Sequence, residues 1–279
     1  MLRMVSNPEQ KPIISPFLKW AGGKRWLVSQ HPDLFPTMYK SYLEPFVGSG
    51  AVFFHMRPTN AILGDSNEEL INTYATIKED WCNLHKLLES HHRLHCKEFY
   101  YEIRAKTFEN SVEKAARFIY LNRTCWNGLY RVNLKGSFNV PIGTKTKVVL
   151  DSDDFCAISN ILKDTDLHAS DYQTIVDSAQ KDDFLFVDPP YTVKHNFNGF
   201  IKYNDKLFSW DDQIRLRNCI DNAVSRGVKV LLTNADHDSV RDLYKGIGEM
   251  TSRERLSTIS GNVNARGRCS ELIVKCYKS

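Results

Sequence analysis

The chain reads as an α/β protein built on a mostly parallel sheet that one insertion interrupts, and three observations carry that reading. Apolar runs of strand length recur at residues 42–47, 61–63, 184–187, 228–234 and 271–276. Segments of helical composition separate them. Several runs end in glycine or aspartate, at the place where open α/β sheets bind ligands beyond the carboxyl ends of their strands.

Taken in order, Pro16-Phe17-Leu18-Lys19-Trp20 opens the ordered part, and the strand 42–47 leads into Gly48-Ser49-Gly50 with a helix expected from Ala51. The run 61–63 ends at Gly64-Asp65. Ser66-Asn67-Glu68-Glu69 then has the composition of a helix cap with acidic residues in the first turn. Residues 74–122, rich in Lys, Glu, His, Leu and Tyr, read as helices. Between 122 and 143 glycine, asparagine and aromatic residues predict a hairpin-like loop. Alternation resumes with a strand near 166–171, the strand 184–187, a helix near 210–226 and the last two strands.

With 279 residues, of which 42% are hydrophobic, the chain can fill one α/β domain and a smaller insertion. No stretch approaches the ~18 uninterrupted apolar residues of a membrane span, and residues 1–8 lack the apolar core of a secretion signal, so a cytoplasmic enzyme is expected. The seven cysteines show no C-x-x-C spacing, which argues for reduced thiols. His91, His92, His95 and Cys96 have helical spacing, but Arg93 and Lys97 between them favour a solvated helix face, and no metal is expected. A net charge of +4 permits a polyanionic partner without requiring one.

Asp188-Pro189-Pro190-Tyr191 directly follows the apolar strand 184–187. An amine conjugated to an aromatic ring is a poor nucleophile because its lone pair is delocalised. A carboxylate and a carbonyl oxygen accepting its two hydrogens restore density on nitrogen. Asp188 supplies the first acceptor and the Pro189 carbonyl the second, Pro190 stiffens the direction, and Tyr191 offers a stacking face. The alternative is a stiff turn that ends a strand.

Phe46-Val47-Gly48-Ser49-Gly50 lets backbone approach a ligand closely, and Asp65 ends the next strand where an acidic residue meets ribose hydroxyls. Alone, this pair is equally a packing turn beside a capping aspartate. Phe53 stands where a dinucleotide fold needs its third glycine. Ala21-Gly22-Gly23-Lys24 is not a Walker loop, since Leu18 replaces its first glycine and Arg25 its Ser or Thr.

Five segments stand in one order: F-L-K-W-A-G-G-K, E-P-F-V-G-S-G, G-D-S-N, N-G-L-Y-R-V-N-L-K-G-S-F-N-V-P-I-G and D-P-P-Y. Together, from Phe17 to about Lys275, they resemble the Dam-type DNA adenine methyltransferases, which transfer the methyl of S-adenosylmethionine to adenine N6, commonly within GATC. The resemblance implies a Rossmann-like, mixed seven-stranded sheet with an inserted, mainly helical DNA-recognition subdomain. The catalytic domain would comprise 12–73 and 151–279, and the recognition subdomain 74–150. S-adenosylmethionine would be held by Trp20, Ala21, Gly22, Gly23, Lys24, Glu44, Pro45, Phe46, Gly48, Ser49, Gly50, Asp65 and Asp188. Asp188, Pro189, Pro190 and Tyr191 would grip an adenine turned out of the duplex.

By the same resemblance, Lys19, Arg123, Trp126, Asn127, Leu129, Arg131, Asn133, Asn139 and Pro141 would meet double-stranded DNA, with Arg131 reading a guanine through its fork. Trp126, Tyr130 and Arg131 could instead form a small core within a folded loop. Arg253, Arg255, Arg266 and Arg268 form a basic stretch that either touches phosphates or makes a solvated hairpin. A monomer without an obligate protein partner is expected. The rivals are a methyltransferase for another conjugated amine, an RNA adenine or a protein glutamine, and a catalytically silent DNA-binding protein.

Overall fold

The computed structural model describes residues 14–133, 136–194, 208–256 and 268–278. Seven strands form one sheet in the order β3-β2-β1-β4-β5-β7-β6. They are β1 (Tyr42–Glu44), β2 (Ala61–Asp65), β3 (Thr165–Ala169), β4 (Phe184–Val187), β5 (Lys229–Ala235), β6 (Glu249–Leu256) and β7 (Arg268–Lys275). The first five neighbours in this order run parallel, and β7 lies antiparallel between β5 and β6. The mixed seven-stranded α/β fold expected from the sequence is what forms.

Period-two alternation places the core on both faces of the sheet. Phe184 and Phe186 point into one hydrophobic cluster, and Leu185 and Val187 into the other. All four are at most 1% exposed, so each contributes about 1.5–3 kcal/mol of burial. The first cluster takes in α1 (Arg25–Gln30), α2 (Ala51–Met56), α3 (Glu68–Leu94), α4 (Lys97–Ala105), α5 (Ser111–Thr124) and α6 (Phe155–Leu162). The second is closed by α7 (Tyr172–Ser178), α8 (Trp210–Ser225) and α9 (Asp238–Tyr244).

Local chemistry fixes where these helices begin. Asn67 caps α3 by accepting from the Leu70 N–H at 3.2 Å, with Glu68 and Glu69 favourably placed against the helix dipole. Helix α3 therefore starts six residues before the helical region read from composition, and it breaks at Asp80, which leaves helical geometry. Ser209 and Asp212 form a reciprocal capping box at the start of α8. Strand β1 ends at Glu44, earlier than the apolar run, because Pro45 has no N–H to continue the ladder.

Strand β6 carries no apolar run; its antiparallel pairing with β7 agrees with the hairpin alternative for the basic stretch. It is an edge strand, and the exposed charges of Glu249 and Glu254 are what an edge open to other chains requires. Arg253 and Arg255 thus belong to a strand, while Arg266 and the Ser260-Gly261-Asn262 stretch lie outside the described residues.

Candidate functional site

Strand order reverses between β1 and β4, and a cavity of ≈ 620 Å³ opens beyond the carboxyl ends of the strands there. Three carboxylates reach it from three strand ends: Glu44 from β1, Asp65 from β2 and Asp188 after β4. Among the residues expected at the cofactor, Trp20 to Lys24, Glu44, Pro45, Phe46, Gly48, Ser49, Asp65 and Asp188 all line this cavity. Gly50 stands just behind, where it opens α2.

The glycine turn is shaped by close approach. Gly48 has φ +46°, and a Cβ there would fall 2.7 Å from Trp20 Cδ1; at Gly50, with φ +66°, it would fall 2.7 Å from the Tyr74 hydroxyl. The Gly48 N–H donates to Asp65 Oδ2 at 3.3 Å and the Asn67 N–H to Oδ1 at 3.0 Å. Burial nevertheless raises Asp65 to about 6, against those backbone donors. Glu44 is pushed well above the usual carboxylate range by burial, against the Tyr42 hydroxyl at 2.7 Å, with Asp188 and Asp65 adding like charge.

Beyond Asp65 the wall turns aromatic. Phe46 and Tyr172 stack at 5.3 Å, and Phe208 stands edge-on to Phe46 at 5.7 Å. A carboxylate able to accept from hydroxyls, an apolar aromatic wall and a backbone cradle suit a nucleoside with a polar tail. Tyr172 and Phe208 were missed in the sequence because an aromatic residue in a helix or loop reads first as core.

Asp188 occupies the other end. Its Oδ1 accepts from the Thr233 hydroxyl at 2.7 Å, and its Oδ2 pairs with Lys24 Nζ at 2.7 Å. Burial raises the Asp188 pKa, Lys24 opposes the rise and Glu271 adds to it. A carboxylate has about four lone-pair sites, so two donors leave capacity for an incoming amine. Lys24 is buried, also donates to the Gly22 carbonyl at 2.6 Å, and stands 5.2 Å from the centre of the Tyr191 ring. The Tyr191 hydroxyl donates to Glu271 Oε2 at 2.8 Å. Pro189 and Pro190 join the lining of the same cavity. Thr233 and Glu271 escaped the sequence reading, although polar residues ending or interrupting apolar strands are a usable signal.

The residues expected at DNA gather around an irregular hairpin. Backbone bridges join Cys125 to Ile142 and Val132 to Phe138, and the Trp126 N–H donates to the Pro141 carbonyl at 2.9 Å. Asn127 and Gly128 both take left-handed backbone, which turns the chain sharply after α5. Trp126 is 49% exposed, Asn127, Arg131, Asn133, Asn139 and Pro141 are exposed, and Leu129 is half-buried. The Arg131 Nε donates to Asn139 Oδ1 at 2.9 Å, which fixes the plane of the guanidinium. Lys19 lies against this turn, for a Cβ on Gly128 would fall 2.7 Å from its Cδ. Its backbone is pinned to the end of α5 by Asn122, which accepts from the Lys19 N–H at 2.9 Å and donates to its carbonyl at 2.8 Å.

Arg123 must be corrected. Expected at DNA, it is 3% exposed, and its guanidinium forms a two-pronged pair with Asp153 at 2.6 and 2.7 Å while donating to the Phe17 and Val148 carbonyls at 2.9 and 2.6 Å. It stands on the inward face of α5, so it ties the hairpin base to the body of the protein. Tyr130, between Leu129 and Arg131, likewise turns inward and stacks on Trp20 at 5.8 Å. Among the described residues no His, Cys, Asp and Glu group could hold a metal. His92 accepts instead from the Val148 and Val149 N–H groups. Among those residues no helix is long and apolar enough to cross a membrane.

A doubly wound sheet with a nucleoside-sized cavity at its switch point, entered by three carboxylates from strand ends, defines an α/β protein with its ligand site where such folds place it. Residues 20–259 match the D12 class N6 adenine-specific DNA methyltransferase model, and the chain belongs to that family. It is a DNA adenine-N6 methyltransferase. The chain is 37% identical over 273 residues to the type II methyltransferase M1.LlaDCHI of Lactococcus lactis subsp. cremoris, covering 95% of this chain and 96% of the relative. Type II methyltransferase M.MjaIII of Methanocaldococcus jannaschii is 36% identical over 95% of this chain and 99% of its own length. A DNA adenine methylase of Vibrio cholerae is 34% identical over 92% of this chain and 94% of its own length.

Proposed function

We propose that this methyltransferase takes its methyl group from S-adenosylmethionine and delivers it to an adenine rotated out of the duplex, with GATC as the target. The observation that carries the reading is the joining of Asp188, Lys24 and Tyr191 to the cavity that Gly48, Asp65 and the Phe46-Tyr172 wall enclose. In this reading Asp65 accepts from the ribose hydroxyls, the glycine turn cradles the polar tail, and the aromatic wall takes the purine of the cofactor. S-adenosylmethionine, when bound, supplies an electrophilic methyl group.

The protein supplies the nucleophile's geometry. Asp188 and the Pro189 carbonyl accept hydrogen bonds from the two N6 hydrogens, so that lone-pair density returns to nitrogen, and Tyr191 stacks on the base; as the N–C bond forms the methyl–sulfur bond breaks to leave a neutral thioether, and one N6 proton passes to water. Positioning and desolvation account for most of the rate. Residues 74–150 form the recognition subdomain in this scheme, and Arg131 reads the guanine edge. The match of residues 126–141 to the Dam-type segment supports GATC.

Expression in a methylation-free host, followed by modified-base sequencing, is expected to show N6-methyladenine in GATC. Methylation confined to another motif would overturn the target and leave the chemistry standing. Asp188→Ala should lower kcat by roughly 100- to 1,000-fold while largely sparing cofactor affinity, as expected when a group aimed at the reacting atom is removed. Calorimetric titration that finds cofactor binding lost in this variant would contradict that division of roles.

A further inference from the structure

Glu271 is a buried carboxylate with no part in the scheme above. It sits on β7, the antiparallel strand next to β5, with 1% of its surface exposed. Its Oε2 accepts the Tyr191 hydroxyl at 2.8 Å and lies 3.6 Å from Lys24 Nζ, while its Oε1 meets the Arg255 Nε from β6. Four charges therefore follow one another through the site: Arg255, Glu271, Lys24 and Asp188. A buried carboxylate is tolerated when it is paired, and one Arg255 pair would meet that need. The contacts with Lys24 and Tyr191 exceed it, and both run directly to the groups that face the adenine.

We propose that Glu271 is a positioning residue for methyl transfer: it tethers the Tyr191 ring through its hydroxyl and shares the Lys24 ammonium, so that Asp188 keeps its strength as an acceptor. The inference rests on the reading that Asp188 and Tyr191 hold the adenine. With Glu271 neutralised, the ammonium is shared no longer and its charge bears on Asp188 alone. Asp188 then offers less density to the amine and is harder to protonate. The groups facing it are Lys24 before α1, Glu44 at the end of β1, Thr233 on β5, Tyr191 just after it in the chain, and Glu271 on β7 with Arg255 behind.

Glu271→Gln preserves shape and an acceptor for the Tyr191 hydroxyl while removing the charge. Its single-turnover rate on cognate duplex should fall roughly 10- to 100-fold, with DNA KM and cofactor Kd held within about 3-fold, and the acid limb of its kcat–pH profile should move to lower pH. Tyr191→Phe removes the hydroxyl alone and should fall by roughly 5- to 10-fold. A Glu271→Gln enzyme with the parental rate and an unmoved acid limb overturns the proposal, as does a lower melting temperature with unchanged kcat. If Glu271→Gln does not fold, a Tyr191→Phe enzyme at full rate overturns it. Parental turnover in Asp188→Ala would sink the adenine-grip reading itself, an outcome distinct from either.

Discussion

The pocket at the strand ends and the hairpin at residues 125–142 solve opposite problems. Around Asp188 each charged group is largely buried and has a fixed partner: Lys24 is 3% exposed, Glu271 1%, and the Asp188 carboxylate is met by both Lys24 and Thr233. Along the hairpin, Trp126, Asn127, Arg131 and Asn139 stand exposed on a backbone held by two isolated bridges and two left-handed residues. Chemistry on a weak amine needs dipoles oriented before the substrate arrives, in a place from which water is excluded. Sequence reading needs donors that stay hydrated until a base edge replaces the water. Residue type does not separate the two regions, since both use arginine, lysine and aromatic side chains; burial does.

Arg123 offers the strongest way to break that contrast, because it lies in the hairpin's sequence neighbourhood but in the body's environment. Arg123→Ala leaves Asp153 charged, buried and unpaired, and should cost about 3–5 kcal/mol of stability. Base preference among surviving molecules should be unaltered. Urea unfolding, paired with kcat/KM on substrates changed at one position each, checks both halves. An intact fold with altered preference would return Arg123 to the DNA face.

Asp65 tests whether the pocket's carboxylates are held at a cost. Burial lifts it to about 6, against an ordinary aspartate near ~3.9. A carboxyl whose folded value lies above its unfolded one costs nothing below about pH 4, and the cost grows until pH passes 6. Asp65→Asn should therefore gain stability relative to the parent as pH rises from 4 to 7, by at most ~3 kcal/mol, while losing affinity for the cofactor. Unfolding curves at both pH values, without cofactor, make the measurement. A stability gap that ignores pH would show that Asp65 is not held above its ordinary value.

Arg131 sharpens the hairpin side. Arg131→Ala should lose about 1–3 kcal/mol of discrimination at one base pair, whereas loss of a phosphate contact weakens all sequences alike. The comparison needs fixed salt, since phosphate contacts make affinity strongly salt-dependent. An equal fall in kcat/KM on each duplex would assign Arg131 to holding the loop.

The parts of this molecule that could be read from its sequence are those in which local pattern and tertiary role agree. Strand β4 is an uninterrupted apolar run because it is buried on both faces, and the residues after it are confined by two prolines. Asn67, Gly48 and Gly50 follow from caps and close approach, which are decided within a few residues. The extent of strand β6 was illegible because an edge strand is held by pairing with β7 and has no apolar face of its own to announce it. The partners of Arg123, Tyr130 and Glu271 were illegible for a related reason. A polar side chain in a helix, loop or strand carries no mark of the partner that buries it, and those partners, Asp153, Trp20 and Lys24, lie 30, 110 and 247 residues away in the chain.

The segment from Lys19 to Lys24 crosses from one region to the other. At one end Asn122 clasps the Lys19 backbone from both sides; at the other, Lys24 grips Asp188; between them Trp20 leans on Tyr130. The five steps from Lys19 to Lys24 span at most about 18 Å even when fully extended. Such a strap has little slack: on the proposed reading, a push of a duplex against Lys19 has only the four residues 20–23 in which to be absorbed before it reaches the Lys24 ammonium. The surface proposed to meet DNA and the centre proposed to modify it are in this sense geared to each other by a single short length of chain.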